Sequence, residues 1–280
     1  MIRLAISRYL EYYTLTEIIM NAIAIIPARY AATRLPGKLI LQKVKEVTGK
    51  HIIEHVYSKA SEAKTIKKVI VATDDKRIFD IVKQSGGNVE MTPDSISSGT
   101  DRIAWIVKNI DSVKELNPDI VVNVQGDEPD IKGEVIDEVV SILHNDQQYS
   151  MATIATPIEL QDEINDPNAV KVVLDNNGNA LYFSRSPIPY NRKPKNSSIY
   201  KNENIFLKHL GLYAYRKDFL LKFSSLPCSG LEEIEGLEQL RALSNGYKIK
   251  VAITKHNSIG IDTEEDLERF LDRYSVVGIR

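Results

Sequence analysis

Three cations, Arg29, Arg34 and Lys38, fall within ten residues of one another in a 280-residue chain, in the stretch I-A-I-I-P-A-R-Y-A-A-T-R-L-P-G-K (23–38). The apolar run 23–26 reads as a buried parallel strand that Pro27 stops, because proline cannot donate to a sheet ladder. Cations crowded just beyond a strand end sit where open α/β sheets bind ligands, and their natural counterpart is a phosphate chain. A solvated cationic loop would carry the same residues. Two familiar phosphate loops are excluded: a Walker A loop would need glycine at Ala32 and a hydroxyl at Leu39, and no Gly-x-Gly-x-x-Gly lies nearby.

Opposite charge gathers at a second strand end. Residues 120–124, I-V-V-N-V, form the clearest buried strand and run directly into Gln125-Gly126-Asp127-Glu128-Pro129. A carboxylate pair there, with glycine permitting close approach, is where an α/β enzyme would hold a metal ion, although acidic turns are common. Ser97-Ser98-Gly99-Thr100 precede a helical pattern. Such small donors cap helices, and they could equally hold the edge of a ligand.

The elements that must position these residues alternate. Strand patterns at 67–73, 89–91 and 151–154 are separated by helical patterns at 51–63, 76–85 and 134–143, which predicts an α/β fold: a mostly parallel, Rossmann-like sheet flanked by helices. Residues 39–48 are poorly patterned. Strands at 169–174 and 180–183, joined by Asp175-Asn176-Asn177-Gly178, predict a smaller antiparallel hairpin subdomain. Residues 186–204 are polar with three prolines and are expected to be a mobile loop that orders around substrate. A strand at 208–215, a helix at 232–243, a last strand at 249–253 and a closing helix follow, the last with Thr263 as N-cap and Asp266 at its third position. The expected organisation is an extension (1–20), an α/β core (21–165), the antiparallel subdomain (166–230) and a return to the core (231–280).

Composition narrows the partners. Lys plus Arg number 36 against 38 Asp plus Glu, so no general basic field points to nucleic acid or an anionic membrane. Cys228 is the single cysteine, which excludes an intramolecular disulfide or a multi-cysteine metal cluster and fits a reducing, cytoplasmic setting. No apolar run is long enough to span a bilayer. Residues 1–20 lack the apolar core of a secretory signal, so residues 1–19 are expected to be dispensable.

Taken together, the motifs resemble those of the 3-deoxy-manno-octulosonate cytidylyltransferases, or CMP-Kdo synthetases. The matching segments are I-P-A-R-Y-A-A-T-R-L-P-G-K (26–38), V-A-T-D (71–74), S-G-T-D-R (98–102), V-N-V-Q-G-D-E-P (122–129), P-N-A-V-K-V-V (167–173), A-L-Y-F-S-R (180–185), H-L-G-L-Y (209–213), L-E-Q-L-R (237–241) and G-I-D-T-E-E-D-L (260–267). The resemblance implies a nucleotidyltransferase sheet and a reaction joining CTP to Kdo with release of pyrophosphate, for lipopolysaccharide synthesis. It implies that Arg29, Arg34 and Lys38 are catalytic cations on the triphosphate. Ala72, Thr73, Asp74, Ser98, Gly99, Thr100 and Gln125 would line the nucleotide side. Arg185, His209, Tyr213, Glu238 and Gln239 would face the acidic sugar, the alternative readings being a hydrogen-bonded core histidine for His209 and helix-surface positions for Glu238 and Gln239. Asp127 and Asp262 would hold Mg²⁺, since hard oxygen ligands without a cysteine or histidine cluster select magnesium over zinc. A homodimer is also implied, with the hairpin region 169–213 as its expected interface.

The chain departs from the family in two places. Ser95-Ile96-Ser97 stands where the family usually has Asp-His-Pro, and residues 43–52 differ from the usual Gly-Lys-Pro-Met-Ile. Other acidic sugars, sialic acid or 8-amino-Kdo, remain alternatives within the same chemistry. A glycosyltransferase would usually show Asp-x-Asp, which Gln125-Gly126-Asp127-Glu128 is not. Arg29, Lys38, Asp127 and Asp262 together argue against a catalytically dead sensor.

Overall fold

In the computed structural model, which describes residues 21–31, 35–192, 205–258 and 260–277, the alanines and isoleucines of the first strand are buried on both faces. Strand β1 (Ala22–Ala28) turns Ala22, Ala24 and Ile26 into one core cluster and Ile23 and Ile25 into another. A strand with two covered faces has no polar positions to alternate with, hence its continuous apolar run.

The chain continues through a 3-10 turn (Lys38–Ile40), α1 (Gln42–Thr48), α2 (Ile52–Ala60), β2 (Ile66–Thr73), α3 (Lys76–Gln84), β3 (Val89–Met91), α4 (Gly99–Asn109), α5 (Asp111–Leu116), β4 (Ile120–Asn123) and α6 (Gly133–Asn145). There follow β5 (Met151–Pro157), α7 (Gln161–Asn165), β6 (Lys171–Leu174), β7 (Ala180–Ser184), β8 (Leu207–Arg216), α8 (Lys217–Phe223), α9 (Gly230–Glu235), α10 (Leu240–Ser244), β9 (Ile249–Ile253) and α11 (Glu264–Val277). The sheet runs β3-β2-β1-β4-β8-β5-β9, with β6 beside the start of β8 and β7 beyond β6. Pairs β1/β2, β2/β3, β1/β4 and β5/β9 are parallel, whereas β8 is antiparallel to both β4 and β5. The expected mostly parallel, helix-flanked sheet is therefore the fold.

Residues of α1, α2, α3, α6 and α11 fill the first cluster, and residues of α4, α8 and α10 fill the second. The hairpin β6/β7 joins the second cluster through Val172, Ala180 and Phe183, so its apolar face is continuous with the core beneath β1. Among the described residues no helix is long and apolar enough to cross a membrane.

Three local expectations are corrected. Pro27 does not stop β1: pairing with β2 continues through Pro27↔Ala72 and Ala28↔Thr73. Alternate strand residues present their backbone groups to opposite neighbours, so Pro27 faces the same side as Ile25, whose carbonyl accepts from Val124 N at 3.1 Å. Strand β4 has already turned away there, and no ladder donor is missed. Residues 39–48 are ordered into the 3-10 turn and α1, a short helix whose one fully buried side chain, Val44, is too faint a periodic signal. The expected helix 232–243 is two helices, because Gly236 (φ 62°) takes the left-handed conformation and donates to Glu232 O at 2.8 Å. Residues 1–20, Arg34 and the greater part of the 186–204 loop (193–204) lie outside the described residues.

Phe183 anchors the hairpin to the core, fully buried and edge-on to the His209 ring at 5.0 Å between centroids. Phe183→Ala is expected to cost about 3–5 kcal/mol. Urea denaturation checks this as a lower midpoint at unchanged slope.

Candidate active site

Lys38, Asp127 and Asp262 meet at the C-terminal edge of the parallel strands. Lys38 Nζ donates to Asp127 Oδ2 and to Asp262 Oδ1, both at 2.6 Å. Local structure accounts for each position. Gly37 (φ 69°) starts the 3-10 turn and donates to Tyr30 O at 3.0 Å, while Leu39 is buried in the core, so the backbone carrying Lys38 is fixed at both sides. The turn after β4 lies so close to β1 that a Cβ on Gly126 would stand 3.0 Å from Pro27 O. Asp262 is brought across by a backbone bond from Ile261 N to Asp127 O at 2.9 Å. It is then held at the start of α11, where Asp266 Oδ2 accepts from Thr263 Oγ1 at 2.7 Å and from Thr263 N at 3.0 Å, and Asp266 N donates back to Thr263 Oγ1 at 3.2 Å.

Charge coupling in this cluster is strong. Burial works against the Lys38 ammonium, but Asp127 and Asp262 outweigh it and hold its pKa above the ordinary value. Glu128, accepting from Ser258 Oγ at 2.7 Å, is pushed up to about 7 by burial, reinforced by the negative charge of Asp127 and Asp262. Among the described residues no group of three or more His, Cys, Asp or Glu is placed to hold a metal. Two carboxylates converging on one cation are the donor set that a hard divalent ion completes with water and phosphate oxygens.

The nucleotide-side candidates lie at the ends of β1 and β2 and the start of α4. Asp74 accepts from Arg102 Nη2 at 2.6 Å and faces Arg29 Nε at 3.8 Å, while Arg29 Nη1 donates to Ser97 O at 2.8 Å. Ser98 caps α4, its hydroxyl accepting from Asp101 N at 3.0 Å, and a Cβ on Gly99 would stand 3.3 Å from Pro27. Ala72 and Thr73 are fully buried: Ala72 packs in the second cluster, and Thr73 Oγ1 accepts from Asp75 N at 3.1 Å.

Strand β8 carries the other side. Its register against β5 slips after Thr153↔Tyr213 to Ile154↔Leu210, leaving Gly211 and Leu212 as a bulge. Gln125 Nε2 reaches Gly211 O at 3.0 Å, and a Cβ at 211 would lie 2.9 Å from Gln125 Cγ, so only glycine fits without a shift. His209 shares a 2.9 Å hydrogen bond with Thr153 Oγ1 and packs against Phe183 and Tyr213; burial lowers its pKa to about 3. Burial also raises Tyr213, with Tyr215 and Glu238 adding to the shift. Glu238 and buried Gln239 occupy the turn between α9 and α10, with Thr100 Oγ1 donating to Glu238. Burial pushes the Glu238 carboxyl upward.

Direct contacts thus join Lys38 to Asp127 and Asp262, Arg29 to Asp74, Thr100 to Glu238, and His209 to Tyr213. Arg185 is engaged elsewhere: Nε donates to Glu235 O at 2.7 Å and Nη1 to Pro167 O at 2.9 Å, while Glu235 Oε2 accepts from Arg185 N at 2.9 Å. An acidic groove lined by Glu134, Asp137 and Glu138 shares no residue with this site.

Several supporting residues escape sequence reasoning. Fully buried Arg102 pins Asp74 and also bonds Ile96 O at 3.2 Å. Arg77, held by Asp75 at 2.7 Å, stacks 3.3 Å over the Tyr30 ring at the neck of the cationic loop. Gly37 is the signal that was available, since a Cβ there would stand 2.9 Å from that ring.

His209 gives a pH test. Folding keeps it neutral down to about 3, whereas the unfolded imidazole takes up a proton below about 6.5. Its contribution is complete above the unfolded value and is lost as pH falls toward the folded one, at up to about 1.4 kcal/mol per pH unit. Between pH 6 and pH 5, by roughly that amount, wild-type stability should fall more steeply than that of His209→Gln in urea titrations.

With this geometry in view, comparisons with known proteins agree. A family model described as cytidylyltransferase matches residues 23–249. The chain is 48% identical over 261 residues to a 3-deoxy-manno-octulosonate cytidylyltransferase of Thermodesulfovibrio yellowstonii, covering 91% of this chain and 100% of the relative. It is 45% identical over 249 residues to an 8-amino-3,8-dideoxy-manno-octulosonate cytidylyltransferase of Shewanella pealeana, covering 89% and 96% respectively. A solved CMP:2-keto-3-deoxy-manno-octonic acid synthetase complexed with CTP superposes with a TM-score of 0.80 at 37% identity, over 91% of this chain and 98% of that one. A 4-diphosphocytidyl-2C-methyl-D-erythritol synthase from Anaerococcus prevotii shares the fold at TM-score 0.57 and 18% identity, over 92% and 96%. The chain belongs to the cytidylyltransferase family, alongside the 3-deoxy-manno-octulosonate cytidylyltransferases.

Proposed function

We propose that this protein transfers the cytidylyl group of CTP to 3-deoxy-manno-octulosonate, forming CMP-Kdo and releasing pyrophosphate. The observation that carries the reading is the cation held between two carboxylates, Lys38 between Asp127 and Asp262, at the strand ends of a cytidylyltransferase fold. In such a reaction the sugar's anomeric oxygen attacks the α-phosphate as the bond to pyrophosphate breaks. Phosphoryl-type transfer asks for in-line positioning and charge neutralisation more than for covalent help.

The residues present suit those demands. Arg29, half exposed, and Lys38 supply positive charge toward a triphosphate, and Arg34 is assigned the same duty from sequence. Asp127 and Asp262 fit Mg²⁺, because the Lys38 ammonium already occupies a cation position common to both. When bound there, the ion supplies charge neutralisation and orients phosphate oxygens. Ser98, Gly99 and Thr100 offer small groups at the start of α4, and Gln125 borders the β8 bulge. His209, neutral at physiological pH, and Tyr213 offer hydrogen-bonding edges to a sugar rather than charge. Glu238, Gln239 and Arg185 complete the sugar side of the proposal. The role in lipopolysaccharide synthesis, the cytoplasmic setting and a homodimer built on the hairpin region belong to the same reading.

A second sugar is favoured by one observation: the relative named for the 8-amino sugar is nearly as similar as those named for the parent sugar. Pyrophosphate release from CTP, measured with each sugar in turn, decides between them. The expected outcome is release with Kdo and a lower kcat/KM with the 8-amino sugar; the reverse ranking overturns the choice of sugar.

Asp127→Asn and Asp262→Asn are each expected to keep the fold while lowering turnover roughly a hundredfold or more, the scale of several kcal/mol of lost charge stabilisation. A folded variant with near-native turnover at saturating Mg²⁺ removes that residue from the metal site. Arg185→Lys keeps the charge but cannot reproduce both carbonyl bonds, so it should lower Tm and raise KM for the sugar while leaving KM for CTP unchanged. A fall in Tm alone assigns Arg185 to structure.

A further inference from the structure

The Lys38 ammonium stands equidistant, at 2.6 Å, from Asp127 Oδ2 and Asp262 Oδ1. A divalent ion held by the same two carboxylates would take that place. An ammonium and a divalent ion cannot share it, because two cations within a few ångströms repel strongly in a site only partly open to water. The lysine can leave without disturbing the fold. Its backbone is anchored by Gly37 N to Tyr30 O at 3.0 Å and by buried Leu39, whereas the mostly buried side chain ends in an ammonium whose hydrogen bonds go to Asp127 and Asp262 and can be exchanged for phosphate oxygens.

We propose that Lys38 is the resident counter-cation of the Asp127 and Asp262 pair, excluding a divalent ion until a triphosphate draws the ammonium away. The proposal rests on the reading of these two carboxylates as the metal ligands. Without nucleotide, the lysine neutralises charge that would otherwise repel across the site, and the pair resists stray divalent ions. With nucleotide, the ammonium moves onto phosphate oxygens and vacates a cation position already shaped by the turn after β4 and the start of α11. Metal and nucleotide then bind cooperatively, each raising the other's affinity by the same factor.

Mn²⁺ alone, without nucleotide, is the probe, with free ion measured by electron paramagnetic resonance and thermal stabilisation measured in parallel. Lys38→Met and Lys38→Gln, the latter still able to donate to the carboxylates, are compared with the wild-type full chain. Removing the ammonium should tighten Mn²⁺ binding by at least about tenfold and enlarge the Mn²⁺-induced rise in Tm. Adding Asp127→Asn to either variant should abolish the gain. Folded Lys38 variants that bind Mn²⁺ no tighter than wild type overturn the proposal, as does a gain that survives Asp127→Asn. Failure of the cytidylyl-transfer reading shows separately, as wild-type protein that releases no pyrophosphate from CTP and Kdo whatever its Mn²⁺ affinity.

Discussion

Two carboxylates far apart in the chain share one cation, and much of the structure can be understood as what brings them together. Asp127 and Asp262 repel one another, and Lys38 between them relieves that repulsion. Three features enforce the approach: the close passage of Gly126 over Pro27 O, the backbone bond from Ile261 N to Asp127 O, and the capped start of α11. All three use backbone groups or an element end. Backbone restraints of this kind hold a charged group with little side-chain freedom left to lose, which suits a site that must accept a highly charged ligand without rebuilding itself.

The reversed strand β8 gives the site its second wall. In a wholly parallel sheet the position beside β4 would be reached by a helix crossover, and the hairpin would have no place to dock. Entering antiparallel, β8 instead runs from the hairpin past the Gln125 turn, and its bulge at Gly211 accommodates the Gln125 side chain. The same strand carries His209 and Tyr213 two turns of the pleat apart on a common face, with Phe183 from the hairpin against His209. Burial then sets their chemistry: His209 is neutral and Tyr213 remains protonated, so this wall presents hydrogen-bonding groups while charge is concentrated at the strand ends.

Buried ion pairs maintain that division. Arg102, fully buried, is tolerable because Asp74, Ile96 O and Thr92 receive its guanidinium, and by holding Asp74 it fixes the group facing Arg29. Arg241 grips Glu232 at 2.5 Å and thereby braces the α9–α10 turn in which Glu238 and Gln239 sit. These pairs contribute less to net stability than to the placement of their neighbours, since desolvation offsets much of their attraction.

The sequence by itself determined the α/β alternation, because strands covered on both faces must be continuously apolar and their helices must show a 3.6-residue period, as 23–26, 120–124 and 134–143 do. It also determined which residue types could meet a phosphate chain or a metal, and the capping of α11 by Thr263 and Asp266 was legible from three residues' spacing. Tertiary structure decided what those residues touch. That Lys38 would lie between the two carboxylates depends on β1, β4 and α11 converging, and no local pattern encodes convergence of segments so distant in the chain. The same holds for Pro27, whose missing donor is harmless only because β4 turns away first, and for Arg102 and Arg77, ordinary helix residues until packing gives them Asp74 and Tyr30 as partners. Gly236 marks the boundary between the two kinds of information: a glycine in a helical pattern permits a break, but only the packing of Leu237 and Leu240 into the second core made the break favourable and placed Glu238 beside Thr100.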